Sequence, residues 1–180
     1  DGYAIHVADW KQTFRLPIAD TFDCDLAEDT LVVCLGDTLY GYDAVSFTVY
    51  SYSKGKDTPT ETELTIPKTS DGKEAIYESI ILQVVDTDTA FVTIIGENDD
   101  DEILAIYRTV DGGKTWENRV ETITEIWDCW SVDFSAFHFW DADKGIYCRD
   151  LFTDEPLTDR VRITLDGGKT WNELWRIVLE

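Results

Sequence analysis

Three short stretches of this chain carry residue types that could do chemistry. The first, E-N-D-D-D-E from Glu97 to Glu102, sets five carboxylates and an amide in a row. Oxygen-rich runs bind Ca2+ through carboxylate and carbonyl ligands, so Asp99, Asp100 and Asp101 are candidate metal ligands. The run lacks the glycine and the terminal glutamate of an EF-hand loop, and the competing reading is a solvated hairpin loop. The second stretch is W-D-C-W-S-V-D-F-S-A-F-H-F-W, residues 127–140. Trp127, Trp130 and Trp140, with Phe134, Phe137 and Phe139, are rich enough to line a sugar- or peptide-binding face. The competing reading places most of them in a core between sheets. His6 and His138 are each isolated, and the chain has no G-x-S-x-G, H-E-x-x-H or P-loop. Beyond Ca2+, no cofactor is expected.

The third stretch is an octapeptide that occurs twice: T-V-D-G-G-K-T-W at Thr109–Trp116 and T-L-D-G-G-K-T-W at Thr164–Trp171, 55 residues later (171 − 116). The elements around it explain the recurrence. Runs such as T-L-V-V-C, V-S-F-T-V-Y-S-Y, A-F-V-T-I-I and R-V-R-I-T-L are β-branched and aromatic, bounded by Asp, Gly, Ser and Thr, and read as strands. No stretch keeps a helical period over three turns. A repeat of this length marks a modular architecture. Aligned on the octapeptide, V-Y-S-Y-S-K-G-K-D-T-P from Val49 reads as a decayed third copy, with Gly55 on Gly112 and Lys54 in place of the turn Asp. T-L-V-V-C, T-A-F-V-T and K-G-I-Y-C each follow an acidic turn. Each unit therefore reads as strand, acidic turn, strand, variable loop, strand, glycine turn, strand. The predicted division is a partial unit at 1–19, a degenerate unit at 20–68, and two full units at 75–124 and 128–180.

Each residue of the octapeptide has a structural task. Each D-G-G turn needs at least one residue with positive φ, which a glycine of the Gly112–Gly113 or Gly167–Gly168 pair supplies without a Cβ clash. Asp111 and Asp166 can pin the turn by accepting backbone N–H groups, and Thr115 and Thr170 can close it from the other side. Trp116 and Trp171 offer a large apolar face to a neighbouring sheet.

The pattern S/T-x-D-x-G-x-T-W resembles the Asp-box, the bacterial neuraminidase repeat. The resemblance implies an all-β β-propeller of four-stranded antiparallel blades, here about 3.5 to 4 of them, with Asp111, Gly113, Thr115, Trp116, Asp166, Gly168, Thr170 and Trp171 as structural box residues. Proteins with such boxes include sialidases, sorting-receptor ectodomains, photosystem-assembly factors and secreted proteins without catalysis. F-R-L-P, from Phe14 to Pro17, is similar to the F/Y-R-I-P motif of sialidases. That similarity makes Arg15 a candidate ligand for a substrate carboxylate, which a bidentate guanidinium suits. The alternative is a solvent-facing arginine on an outer strand, which the repeat alignment favours. Arg108 and Arg162 precede the boxes at what the alignment takes as equivalent third-strand positions, and read as structural. The remaining sialidase set, a Tyr nucleophile with a Glu base and an Asp acid, is not assembled in the sequence.

With 37 acids against 15 bases, the net charge of −22 argues against a nucleic-acid partner and against an anionic membrane surface. No apolar run approaches the ~20 residues that span a bilayer. The lack of Met and the start at Asp1 read as a processed product or a fragment. Cys24, Cys34, Cys129 and Cys148 suit either one or two disulfides in an oxidising compartment or four buried thiols. A three-residue hairpin loop would let Cys24 and Cys34 meet, and the sequence leaves the disulfide connectivity open. Together these point to an exported, non-catalytic binding or scaffold module for a protein or glycan. A sialidase-like hydrolase fragment is the alternative and a photosystem-type assembly factor the third reading. An unclosed ring would favour oligomers through its exposed edges.

Overall fold

The computed structural model describes residues 3–17, 21–27, 29–38, 45–65, 76–98, 101–120, 135–149 and 158–178. Among them the regular structure is β, apart from one 3-10 turn at Ala8–Trp10. The N-terminal strands β1 (Tyr3–Val7) and β2 (Gln12–Leu16) form an antiparallel hairpin. Three four-stranded antiparallel sheets follow, each with its strands in chain order. The first holds β3 (Thr21–Ala27), β4 (Thr30–Thr38), β5 (Val45–Ser53) and β6 (Thr60–Thr65). The second holds β7 (Ile76–Val84), β8 (Ala90–Asn98), β9 (Asp101–Thr109) and the short β10 (Glu117–Asn118). The third holds β11 (Ser135–Phe139), β12 (Gly145–Arg149), β13 (Thr158–Thr164) and β14 (Asn172–Val178).

The sheets stack in sequence order, which is why their second strands carry apolar residues at successive positions, Leu31 to Leu35 in β4 and Ala90 to Val92 in β8, and not only at alternate ones. Along β4, Leu31, Val33 and Leu35 pack with Val7, Trp10, Phe14 and Leu16 of the hairpin. The intervening Val32 and Cys34, with Phe47, Val49 and Leu64, pack against Leu82, Val84, Val92 and Tyr107 of the second sheet. The opposite face of the second sheet, Phe91, Ile106 and Val120, meets Phe139 and Tyr147 of the third. Phe91 and Phe139 stack nearly parallel, with centroids 3.6 Å apart. Phe47, Phe91 and Phe139 are fully buried, and each such side chain contributes about 1.5–3 kcal/mol.

The first strands of successive sheets are joined by side chains. Asp23 and Asp25 of β3 each use one carboxylate oxygen on the next residue's N–H, at 2.8 and 2.9 Å. The second oxygen accepts from β7: Leu82 N–H at 2.8 Å and Val84 N–H at 2.7 Å. One step on, Gln83 of β7 grips β11. Its Oε1 accepts Phe139 N–H at 2.7 Å, and its Nε2 donates to Phe139 O at 2.6 Å. These bonds satisfy edge-strand backbone groups that have no sheet partner on that side.

The hairpin register does not meet the condition for a Cys24–Cys34 pair, a three-residue loop. Ala27 pairs with Thr30, leaving a two-residue loop, and Cys34 stands opposite Asp23 while Cys24 stands opposite Val33. A one-residue offset sends side chains to opposite faces. Both are free thiols, Cys24 exposed and Cys34 buried. Burial, with a smaller effect of Asp23, pushes the Cys34 thiol up to about 12. Cys129 lies outside the described residues.

Candidate functional site

The two octapeptides form the same turn between the third and fourth strands of their sheets, with matching internal bonds everywhere but at the tryptophan. Thr109 and Thr164 donate their hydroxyls to Asp111 and Asp166 at 2.9 and 2.8 Å. The same hydroxyls accept Gly113 N–H and Gly168 N–H at 2.9 and 2.8 Å. The Asp carboxylates accept Thr115 N–H and Thr170 N–H at 3.0 and 2.9 Å. Their second oxygens accept the Thr115 and Thr170 hydroxyls at 2.7 and 2.6 Å. The N–H of Thr115 leads the bonds that hold the Asp111 carboxyl below its usual range. At Asp166 burial pushes the other way, and the bonds from Thr170 and Thr164 outweigh it. A carboxylate so committed is a structural acceptor, with its negative form stabilised by donors.

Each glycine turn is tied to the acidic turn of its own sheet. Gly112 N–H donates to Asp88 O at 3.0 Å and Gly167 N–H to Asp143 O at 2.6 Å. The acidic turns match as well. Asp86 accepts Asp88 and Thr89 N–H at 2.9 and 2.7 Å, and Asp141 accepts Asp143 and Lys144 N–H at 2.9 and 2.7 Å. The Lys144 ammonium leads the contacts that hold Asp141 at about 2. In the degenerate first sheet, Lys54 N–H donates to Asp29 O at 2.9 Å, and its ammonium pairs with the Asp29 carboxylate, also at 2.9 Å.

Each turn also leans on the preceding sheet. Gly55 N–H donates to Gln12 Oε1 in the hairpin at 2.8 Å. Gly113, at φ 82, lies against Ser51 of β5, and Gly168 lies against Ile106 of β9. Arg119, only 8 % exposed, donates Nε to Gly167 O at 3.1 Å and Nη2 to Asp166 O. It also pairs with Glu117 at 2.7 Å. Arg108 donates to Ala142 O at 2.8 Å and pairs with Asp143 at 3.1 Å. The two tryptophans differ in one bond. Trp171 Nε1 donates to Gly168 O at 3.1 Å. The corresponding Gly113 O takes a bond from Thr62 at 3.4 Å, and Trp116 Nε1 and Ser51 Oγ are buried without a partner among the described residues.

The other sequence candidates are dispersed. Arg15 is exposed on β2, opposite Ala4. Trp140 is 47 % exposed beside the third sheet and stacks on His138, with centroids 5.9 Å apart. Phe137 and Phe139 face inward, toward Tyr147 and Trp171. Trp127, Trp130, Asp99 and Asp100 lie outside the described residues, and Asp101 opens β9 opposite Asn98. Among the described residues, no group of three or more His, Cys, Asp or Glu side chains could hold a metal ion. Arg108 and Arg162 are not equivalent. Arg108 precedes its turn threonine by one residue and pairs with Phe91, whereas Arg162 precedes it by two and pairs with Tyr147. They therefore sit on opposite faces of their sheets. The residues that join sheet to sheet, Asp23, Asp25, Gln83 and Arg119, carry no local signal. Each works on a segment 47 to 59 residues away.

Comparison of the chain with protein families, with curated proteins and with solved structures finds no match.

Proposed function

We propose that this chain is a segment of an Asp-box β-propeller that serves as an exported, non-catalytic binding or scaffold module for a protein or a glycan. The observation that carries the reading is the equality of the two glycine turns. Their hydroxyls, amides and carboxylates are bonded to one another, so the repeated residues hold the sheets and do not contact a ligand. Variation is concentrated at the opposite strand ends, where segments 39–44, 99–100 and 150–157 join neighbouring strands and differ in length and sequence. A rigid scaffold with variable connections at one end is the usual arrangement of a binding module. Export rests on the repeat resemblance and the acidic surface, since Cys24 and Cys34 do not pair. Ca2+ held by Asp99, Asp100 and Asp101 belongs to the same proposal, at the strand ends that would face a ligand.

The sialidase-like reading is favoured by one observation, the exposed Arg15 in F-R-L-P. A fluorogenic sialoside separates the two. Turnover by the wild type that disappears in Arg15→Ala would overturn the binding-module reading. The expected result is no turnover, together with capture of the chain on a glycan or protein array. Replacing 150–157 with a Gly/Ser segment should abolish that capture, and Arg15→Ala should not.

A further inference from the structure

The two joints between first strands differ in what stands behind them. At the first, Asp25 accepts Val84 N–H at 2.7 Å. At the second, one residue holds both ends of the Gln83 amide: Oε1 accepts Phe139 N–H at 2.7 Å and Nε2 donates to Phe139 O at 2.6 Å. These bonds fix the direction of the amide, because a flipped amide would set N–H against N–H and oxygen against oxygen. The other hydrogen of Nε2 is left for the His138 ring, whose Nδ1 lies 3.2 Å away. A nitrogen that faces this donor is the unprotonated one, so the neutral ring carries its proton on Nε2. The ring is exposed, and it also stacks on Trp140 with centroids 5.9 Å apart and planes inclined by 27°. His6 is not locked in this way. Its Nδ1 meets the Thr13 hydroxyl at 3.0 Å, and a hydroxyl can either donate or accept.

We propose that His138 is a pH-responsive latch on the joint between the second and third sheets, closed on Gln83 when the ring is neutral and released when it is protonated. Protonation puts a hydrogen on Nδ1, where it meets the Nε2 hydrogen of Gln83. The clamp on Phe139 stops the amide from turning its oxygen to the ring. The imidazolium gains instead from Trp140, since a cation within about 6 Å of an indole face is attracted to it. The two partners of the ring therefore favour opposite charge states. Charged side chains on the elements packed around it are engaged elsewhere. Asp86 accepts Asp88 and Thr89 N–H, Arg108 holds Ala142 O and Asp143, and Asp141 pairs with Lys144. Across the strand pair stands Ile146. The Gln83–His138 bond thus contributes above the range in which histidine titrates, around pH 6.5, and its contribution is lost as pH falls through that range.

Amide hydrogen exchange of the whole chain from about pH 8 to about pH 5.5, corrected for the intrinsic pH dependence of exchange, reads the joint at the Phe139 N–H. Imidazole nitrogen shifts recorded on the same samples follow His138 itself. At the alkaline end they should show the form protonated on Nε2. Protection of Phe139 should fall about two- to tenfold as His138 is protonated, the range that loss of one hydrogen bond implies. Protection of Val84, held by Asp25 at the other joint, should stay constant. His138→Ala, at an exposed position where folding is not at risk, should give the lower protection at every pH. Gln83→Glu sets a carboxylate toward Nδ1, so protection should then rise as pH falls through the same interval. Phe139 protection that stays level through the titration of His138 would overturn the inference. So would a neutral ring protonated on Nδ1, or a pH dependence that survives in His138→Ala.

Discussion

Gly113→Ala tests how tightly the repeated turn is fitted to the sheet before it. Two penalties apply. The backbone sits at φ 82, where a Cβ costs about 1–2 kcal/mol. The added methyl would also lie 1.9 Å from Ser51 Oγ and 2.6 Å from Ser51 Cβ. Rotating the hydroxyl removes the first overlap and leaves the second, so β5 must retreat from the turn. Overpacking of this kind costs about 1–3 kcal/mol more. Gly55 provides the internal control. Its φ of 78 imposes the same backbone penalty, but nothing lies within 4 Å of an added Cβ. Urea unfolding followed by tryptophan fluorescence should therefore show Gly113→Ala less stable than Gly55→Ala by about 1–3 kcal/mol. Adding Ser51→Gly removes both clashing atoms, at a strand cost of about 0.5–1 kcal/mol, and should recover most of that difference. If Gly113→Ala costs no more than Gly55→Ala, or if Ser51→Gly merely adds its own cost, the close fit between turn and sheet is not what constrains this position.

Asp25→Ala should destabilise the fold by about 1–3 kcal/mol, because it strips the partner from Val84 N–H on the facing strand; amide hydrogen exchange at Val84 should accelerate. The turn carboxylates set an acid limit. Asp111, Asp166 and Asp141 are held below their ordinary values. Their contribution is therefore present above the unfolded carboxyl value of about 3.9 and is lost as pH falls through the folded values. Urea midpoints measured from pH 6 to pH 2 should stay level to about pH 5 and then drop, and Asp111→Asn with Asp166→Asn should flatten the drop. In a Cys129→Ser, Cys148→Ser background, a thiol reagent at pH 8 should label Cys24 slowly in the folded protein. Its thiol is raised by burial and by Asp23 and Asp25. Cys34 should label only on unfolding; an oxidised Cys24–Cys34 product under native conditions would contradict the register.

Much of the fold was legible because its signals are local. The strand runs, the acidic turns and the glycine turns each lie within a few residues, and β4 and β8 are apolar at successive positions because both faces of their sheets are covered. The duplicated octapeptide, with Thr, Asp, Gly and Thr at fixed offsets, specified a turn that can satisfy its own polar groups. It therefore predicted where the third strand of each sheet hands over to the fourth.

What tertiary structure decided was everything that depends on register and on contact across sheets. One residue of register separates a Cys24–Cys34 pair from two thiols on opposite faces, and one residue of offset separates Arg108, which reaches the next sheet, from Arg162. Composition and spacing do not distinguish such neighbours. The grips of Asp25 on Val84, of Gln83 on Phe139 and of Arg119 on the turn at Asp166 join segments about 50 residues apart. An aspartate and a glutamine in strands, and an arginine just past the end of one, look like surface residues until a neighbouring backbone is brought against them. The local sequence determined the turns because their bonds close within five residues; only the packed sheets decided which side chains join them, because those bonds close across the stack.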